Sequence, residues 1–262
     1  MTGLSEEERK ALSRARFGSR AESYRTSALH ASGPDLELLL EWLDPRPAEH
    51  ALDVACGGGH VALALARTGA DVDACDLTPE MLDVAAALLV EHDCTATFTV
   101  ADAEALPYAD GTFDIVTCRI AAHHFPDAFA FFEEVARVLK PGGRFGFQDQ
   151  TLPPEGTSAV LTDVFERTRD VSHNQAYSID GWATLIERAG LAVERTEIVD
   201  KQHDFVEWTK RQDCDEATVA ELRQLMAEAP SGMRRWLEPV YDDHQLVSFR
   251  NRHLIVLARK LA

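Results

Sequence analysis

Long apolar runs are missing from this chain. Nothing in its 262 residues approaches the ~20 consecutive apolar positions that a bilayer-spanning helix needs. Positive charge is scarce: 26 Lys and Arg stand against 44 Asp and Glu, a formal net charge of −18. No clustered run of Lys or Arg offsets that balance, so a polyanionic partner, whether nucleic acid or an anionic membrane surface, is repelled and a small-molecule substrate is favoured. The five cysteines (Cys56, Cys75, Cys94, Cys118 and Cys214) are odd in number and contain no C-x-x-C pair. That argues against a disulfide framework or a zinc knuckle, and a buried, hydrophobe-like role is the default. The first ten residues are charged and lack a signal-peptide core, which with the missing spans leads to a cytoplasmic expectation. No internal repeat or low-complexity tract occurs. With 45% hydrophobic residues, the length suits one α/β domain over residues 1–262.

The most informative stretch present is Ala51-Leu52-Asp53-Val54-Ala55-Cys56-Gly57-Gly58-Gly59-His60-Val61-Ala62. A short apolar run breaks into three glycines and resumes as Ala/Leu-rich helical sequence, which reads as strand, tight turn, helix. Glycines allow positive φ and close approach of a ligand to the main chain, and the following helix presents unpaired N–H groups. Gly57-x-Gly59-x-x-Ala62 fits the dinucleotide pattern G-x-G-x-x-G/A, so a nicotinamide-dependent oxidoreductase is one reading. Asp53, inside the strand, separates the candidates. A carboxylate beneath the turn opposes a pyrophosphate but attracts the ammonium and sulfonium of S-adenosylmethionine (SAM). SAM is therefore the expected cofactor.

The run Leu52-Asp53-Val54-Ala55-Cys56-Gly57-Gly58-Gly59 resembles motif I of the class I SAM-dependent methyltransferases, and more narrowly the ubiquinone/menaquinone-biosynthesis type. Glu134-Val135-Ala136-Arg137-Val138-Leu139-Lys140-Pro141-Gly142-Gly143 resembles the helix-turn-strand preceding the fifth strand of that group. The resemblance implies a Rossmann-like, doubly wound, seven-stranded and mostly parallel sheet with the last strand antiparallel. It also implies N-terminal lid helices over residues 1–46, a cofactor-binding core over 47–150, and a C-terminal half, 151–262, with a cap segment and a helical insert at 201–250. It assigns Asp53, Ala55, Gly57 and Gly59 to the cofactor's amino-acid end, and Asp102 and Ala103 to its adenine. It further implies cofactor contacts for Leu77 and Arg119, and a structural role for Asp114.

In chain order, strands are expected at 51–55, 71–76, 95–100, 113–119, 144–150, 191–199 and 252–260. Residues 1–10 read as frayed. Phe17 and Tyr24 resemble the family's lid segment or, alternatively, anchor a surface helix. Asp76 ends the second strand, where an acid accepts hydrogen bonds from ribose hydroxyls, although Asp also suits a helix cap there. Met81 lies either on the adenine face or in the core.

His123 and His124 follow the fourth strand at the carboxyl edge of the sheet, where open α/β folds bind ligands. No carboxylate stands at metal-ligand spacing from them, so no metal is expected. One of the two is the candidate general base and the other is expected to be structural, with Asp149 a weaker candidate base. Arg169, Asp170 and His173 in the cap are expected to form surface salt bridges rather than touch substrate. Phe205, Trp208, Trp236 and Tyr241 in the insert are expected to be core. The expected activity is transfer of the SAM methyl group to an oxygen, nitrogen or carbon of a small molecule. A non-catalytic SAM-binding module stands as a further alternative, since no residue is an obligatory nucleophile.

Overall fold

The computed structural model describes residues 3–22, 33–154 and 156–261. Its elements begin with α1 (Glu6–Gly18) and α2 (Pro34–Leu43). The expectation of fraying through residue 10 is corrected: Ser5 accepts from the Glu8 N–H while the Glu8 carboxylate accepts from the Ser5 N–H, a capping box that fixes the start of α1. Then follow β1 (His50–Val54), α3 (His60–Ala66), β2 (Asp71–Asp76), α4 (Pro79–Glu91), β3 (Thr97–Val100) and β4 (Phe113–Arg119). A 3-10 turn over Ala122–His124 leads to α5 (Ala128–Val138), β5 (Leu139–Leu152), α6 (Thr157–Arg169), β6 (Tyr177–Ser178), α7 (Ile179–Arg188) and β7 (Leu191–Asp204). The chain closes with α8 (Phe205–Lys210), α9 (Glu216–Ala227), α10 (Ser231–Leu237), β8 (Val240–Asp242) and β9 (Gln245–Lys260).

The main path of the sheet runs β3-β2-β1-β4-β5-β9-β7, with short β6 on β5 and β8 on β9. Pairings from β3 to β5 are parallel, and β9 is antiparallel to both neighbours. This is the expected Rossmann-like doubly wound sheet. Central strands such as β4 are buried on both faces, which explains their nearly continuous apolar sequence. Asp114 at the start of β4 accepts from the His50 N–H and pairs with Lys140, tying strand ends together at the edge opposite the cavity.

Two clusters of buried side chains fill the layers on either side of the sheet. One gathers α5, α7 and the Phe113, Phe145, Phe147 and Trp182 side chains; the other gathers α2, α3 and α4. Helix α2 lies close on β5 because Gly146 has no side chain: a Cβ there would sit 2.7 Å from Leu43. A third cluster, with Phe165, Phe205, Trp208, Met226 and Trp236, packs the C-terminal helices onto the extended ends of β7 and β9. The helical part of the insert is thus shorter than the expected 201–250, because β7 runs on to Asp204 and β9 begins at Gln245. Tyr241, expected in the core, is 42% exposed because it lies on the short outer strand β8. No described helix is long and apolar enough to cross a membrane.

Candidate active site

At the carboxyl ends of β1, β2, β4 and β5, a cavity of ≈ 640 Å³ opens between the sheet, α1 and the C-terminal helices. It is the switch point of the sheet, where β1 leads to β2 on one side and lies against β4 on the other. Ala55 and Gly57 take φ of +53° and +50°, which turns the chain from β1 back toward α3. Both line the cavity, and no heavy atom lies within 4 Å of a Cβ built on Gly57, so a side chain there would occupy open space at the turn. Gly59 is different. It does not line the cavity; its φ is +83° and a Cβ would meet Ala85 Cβ at 2.7 Å. Its smallness lets α3 approach α4, a packing role that the sequence reading did not give it.

Asp53 is buried at the cavity wall. One carboxylate oxygen accepts from the Thr117 hydroxyl at 2.8 Å and the other from the Ala62 N–H in the first turn of α3 at 3.1 Å. Burial pushes its carboxyl up to about 7 against the effect of those hydrogen bonds. Asp76 accepts from the Gly57 and Thr78 N–H groups, so it braces the glycine turn while facing the cavity; its carboxyl too is raised by burial. Leu77 and Ala103 line the same end. Met81 lines it too and also packs with Ala21, Val84 and Phe17 in a small cluster of apolar side chains. Asp102 pairs with Lys10 of α1 at 2.7 Å, and Lys10 also reaches Glu104 at 2.6 Å. Helix α1 is thereby pinned to the adenine end expected from the sequence, a contact that sequence reasoning missed. Phe17 lines the cavity and meets the His124 ring edge-on at 4.9 Å; Tyr24 lies outside the described residues. The Cys56 thiol at the turn is driven well up by burial, which leaves it un-ionised.

Arg119 lies on the cavity wall with its guanidinium on Gln148 and on Asp35 at 2.6 Å. Asp35 at the start of α2 also holds Lys201 from β7 at 2.8 Å. The two histidines are distinguished by their partners. His123 Nδ1 lies 2.6 Å from Asp149 Oδ1, and the His123 backbone N–H donates to the other carboxylate oxygen at 3.1 Å. Asp149 is fully buried and does not line the cavity. Burial alone lowers the His123 pKa, but the Asp149 charge and hydrogen bond outweigh it and the net direction is up. The same ion pair holds Asp149 below the usual carboxylate range despite its burial. His124 donates from Nδ1 to the Ser172 carbonyl, and burial together with the adjacent His123 drives its pKa well down.

The cap differs from expectation. Asp170 and His173 are buried, not on the surface. Asp170 accepts from Ser172 and Gln212, and His173 is held between Asp163 and Gln150. Arg169 lines the cavity and stacks over Trp208 at 4.5 Å. Trp208, Gln150, Glu166, Lys201, His203, Asn251 and His253 complete the far wall. Sequence reasoning did not single out the last six. Four of them leave a trace as a period-2 recurrence of polar residues: 201 and 203 on β7, past its expected end at 199, and 251 and 253 on β9, at the expected start of that strand at 252. Among the described residues no cluster of three His, Cys, Asp or Glu side chains has metal-site geometry.

Comparison with known proteins agrees with this layout. A methyltransferase-domain family model matches residues 52–147, the stretch from β1 through β5. The uncharacterized methyltransferase YcgJ of Bacillus subtilis is 35% identical over 196 residues, 74% of this chain and 78% of its own. The 27-O-demethylrifamycin SV methyltransferase of Amycolatopsis mediterranei is 34% identical over 170 residues, 63% of this chain and 61% of its own. A crystal structure of a methyltransferase candidate from Bacillus halodurans superposes with a TM-score of 0.83 at 35% identity, covering 88% of this chain and all of that one. The nicotinamide-dependent alternative falls with these matches. Their agreement along β1, the glycine turn and the rest of the sheet makes this chain a member of the class I SAM-dependent methyltransferases.

Proposed function

We propose that this enzyme transfers a methyl group from SAM to a hydroxyl oxygen of a small molecule, with His123 as the general base. The observation that carries the reading is the His123–Asp149 pair at 2.6 Å. Because Asp149 accepts from Nδ1–H, the neutral ring keeps its basic lone pair on Nε2, which no described residue engages. An imidazole held in one tautomer by a buried carboxylate is suited to take a proton from an acceptor hydroxyl as the oxygen attacks. A nitrogen acceptor, already nucleophilic when neutral, has less use for such a pair.

The residues present also fit the cofactor. The open space over Gly57 leaves the turn's backbone accessible, Asp53 offers a buried negative charge beside it, and Asp76 retains acceptor capacity for ribose hydroxyls. Asp102 and Ala103 stand where adenine is expected, under α1 and Lys10. SAM, when bound, supplies a methyl group already activated by a positively charged sulfur. The chain's own task is to hold the acceptor in line, keep water out and accept one proton. Phe17 and the rest of α1 cover the cavity and perform the second of these. A Haemonchus contortus phosphoethanolamine N-methyltransferase of the same fold (TM-score 0.65, 18% identity) has been crystallised with SAM. This likeness concerns the fold.

Two measurements test the reading. Isothermal titration should show SAM binding in the micromolar range, and no heat at high micromolar SAM would end the cofactor assignment. Incubation with radiolabelled SAM and a panel of hydroxylated, amino and thiol acceptors should label oxygen only. Transfer to nitrogen or carbon, or O-methylation untouched by His123→Asn, would refute the role given to His123.

A further inference from the structure

The far wall of the cavity carries a polar array that the cofactor and the base leave unused. Arg211 can only donate, so its contact with His203 Nδ1 at 3.3 Å makes that nitrogen the acceptor and places the ring proton on Nε2. His203 Nε2–H then donates to Asn251 Oδ1 at 2.9 Å, and the Asn251 amide N–H points to Glu166 Oε1 at 3.4 Å. Every group in this chain has its direction fixed. The cations at this end are engaged as well: Lys201 by Asp35, and Arg169 by the Trp208 carbonyl and ring.

His253 stands apart. It sits on β9 opposite Gln150 of β5 and Val199 of β7, is 6% exposed, and lines the cavity. Its Nδ1 is shut off from solvent without a hydrogen-bond partner, and no described residue bonds its Nε2. A ligand in the cavity reaches this imidazole through Nε2, whose hydrogen-bonding capacity no described residue uses. Burial holds the ring neutral, so Nε2, the nitrogen not shut off, offers a hydroxyl group a single hydrogen bond, as donor or as acceptor. His253 also lies within the field of Asp149, the partner of the base. Glu166 on α6 is buried beside the same array with no ion pair among the described residues, and burial raises its carboxyl.

We infer that the far wall is an acceptor subsite for a neutral molecule with two adjacent hydroxyl groups, in which His253 holds one hydroxyl while His123 receives the proton of the other. This rests on the methyl-transfer reading above and deepens it. An anionic acceptor meets the buried Asp170 carboxylate and the Glu166 carboxyl group on the wall. A cationic acceptor meets Arg169, Lys201 and Arg211 there. A monohydroxy acceptor leaves His253 unpaired.

The test uses the full-length protein saturated with S-adenosylhomocysteine and four probes on one ring: cis-1,2-cyclohexanediol, cyclohexanol, cyclohexanecarboxylate and cyclohexylamine. Binding is read by saturation-transfer NMR and by imidazole 15N shifts. The diol should bind about tenfold more tightly than cyclohexanol, the value of one hydrogen bond, and more tightly than either charged probe. It should also move the His253 15N resonances in the unmodified protein, a readout that survives if a variant folds poorly. His253→Phe should bring the diol-to-alcohol ratio near one with the cofactor affinity unchanged. Tighter binding of the carboxylate or the amine, an unshifted His253, or no binding by any probe would overturn the proposal. Failure of SAM and S-adenosylhomocysteine to bind would overturn instead the reading on which it rests, so the two failures are distinct.

Discussion

Replacing Asp53 with Asn should make the protein more stable and less able to bind its cofactor. Asp53 is 1% exposed, and its folded-state carboxyl stands at about 7, with burial the dominant cause. The unfolded value lies near 3.9. A raised carboxylate pKa means that the folded state holds the proton more tightly, so stability is lost as pH climbs from about 4 to 7 and levels off above. A gap of roughly three units corresponds to an upper limit of about 4 kcal/mol. Asn removes that cost and keeps the shape. Its oxygen retains the Ala62 N–H, and its amide N–H can donate to the Thr117 hydroxyl, which redirects its own proton to the Leu52 carbonyl, already 3.3 Å away. Asp53→Asn should therefore gain roughly 1–3 kcal/mol at pH 8, a rise of about 3–10 °C in Tm, with the gain vanishing near pH 4. SAM affinity should fall roughly 10–100-fold, the worth of one charge-assisted contact. Titration in buffers of different ionisation enthalpy should show about 0.9 proton released per SAM at pH 6 in the unmodified protein and close to none in the variant. A variant no more stable at pH 8, or one that binds SAM as well as its parent, would refute the reasoning.

Other consequences follow from the same geometry. His123→Asn should lower kcat by roughly 10²–10⁴ with SAM affinity within about twofold; a loss confined to SAM binding would remove it from the chemistry. In the unmodified enzyme the rate should rise with pH through a midpoint above 6.5, since His123 must lose its proton to act and its pKa is raised. Asp149→Asn should move that midpoint to lower pH while reducing the rate, and an unmoved midpoint would deny Asp149 its positioning role. Gly59→Ala should cost about 1–3 kcal/mol in denaturant unfolding, because the new Cβ meets Ala85 at 2.7 Å at a φ of +83°. Lys10→Met should free α1 from Asp102 and Glu104 and speed trypsin cleavage at Arg14 and Arg16; an unchanged cleavage rate would show that the pairing does not hold the helix down.

The central sheet and the glycine-turn end of the cavity were legible in the sequence, because both are built from local signals. The order of strand, glycine turn and helix at 51–66, the acid closing β2 and the sharp helix stop before β5 each specify geometry within a few residues of themselves. The sequence also brought Asp53, Asp76, Asp102, His123 and His124 to one edge, since a parallel sheet places all of its strand ends there. Which histidine meets a buried carboxylate depended on long-range packing, because Asp149 lies 26 residues from His123 and comes to it through a strand register that no local pattern encodes. The tertiary structure alone showed Gly59 as a packing contact, since the opposing Ala85 belongs to another helix. The acceptor wall was beyond local reading for the same reason: Gln150, Glu166, Lys201, His203, Asn251 and His253 meet only after β9 inserts antiparallel between β5 and β7. Long-range pairing, in which distant segments share one face of a sheet, is fixed by the packing of the whole chain, and the polar lining of this cavity is its product.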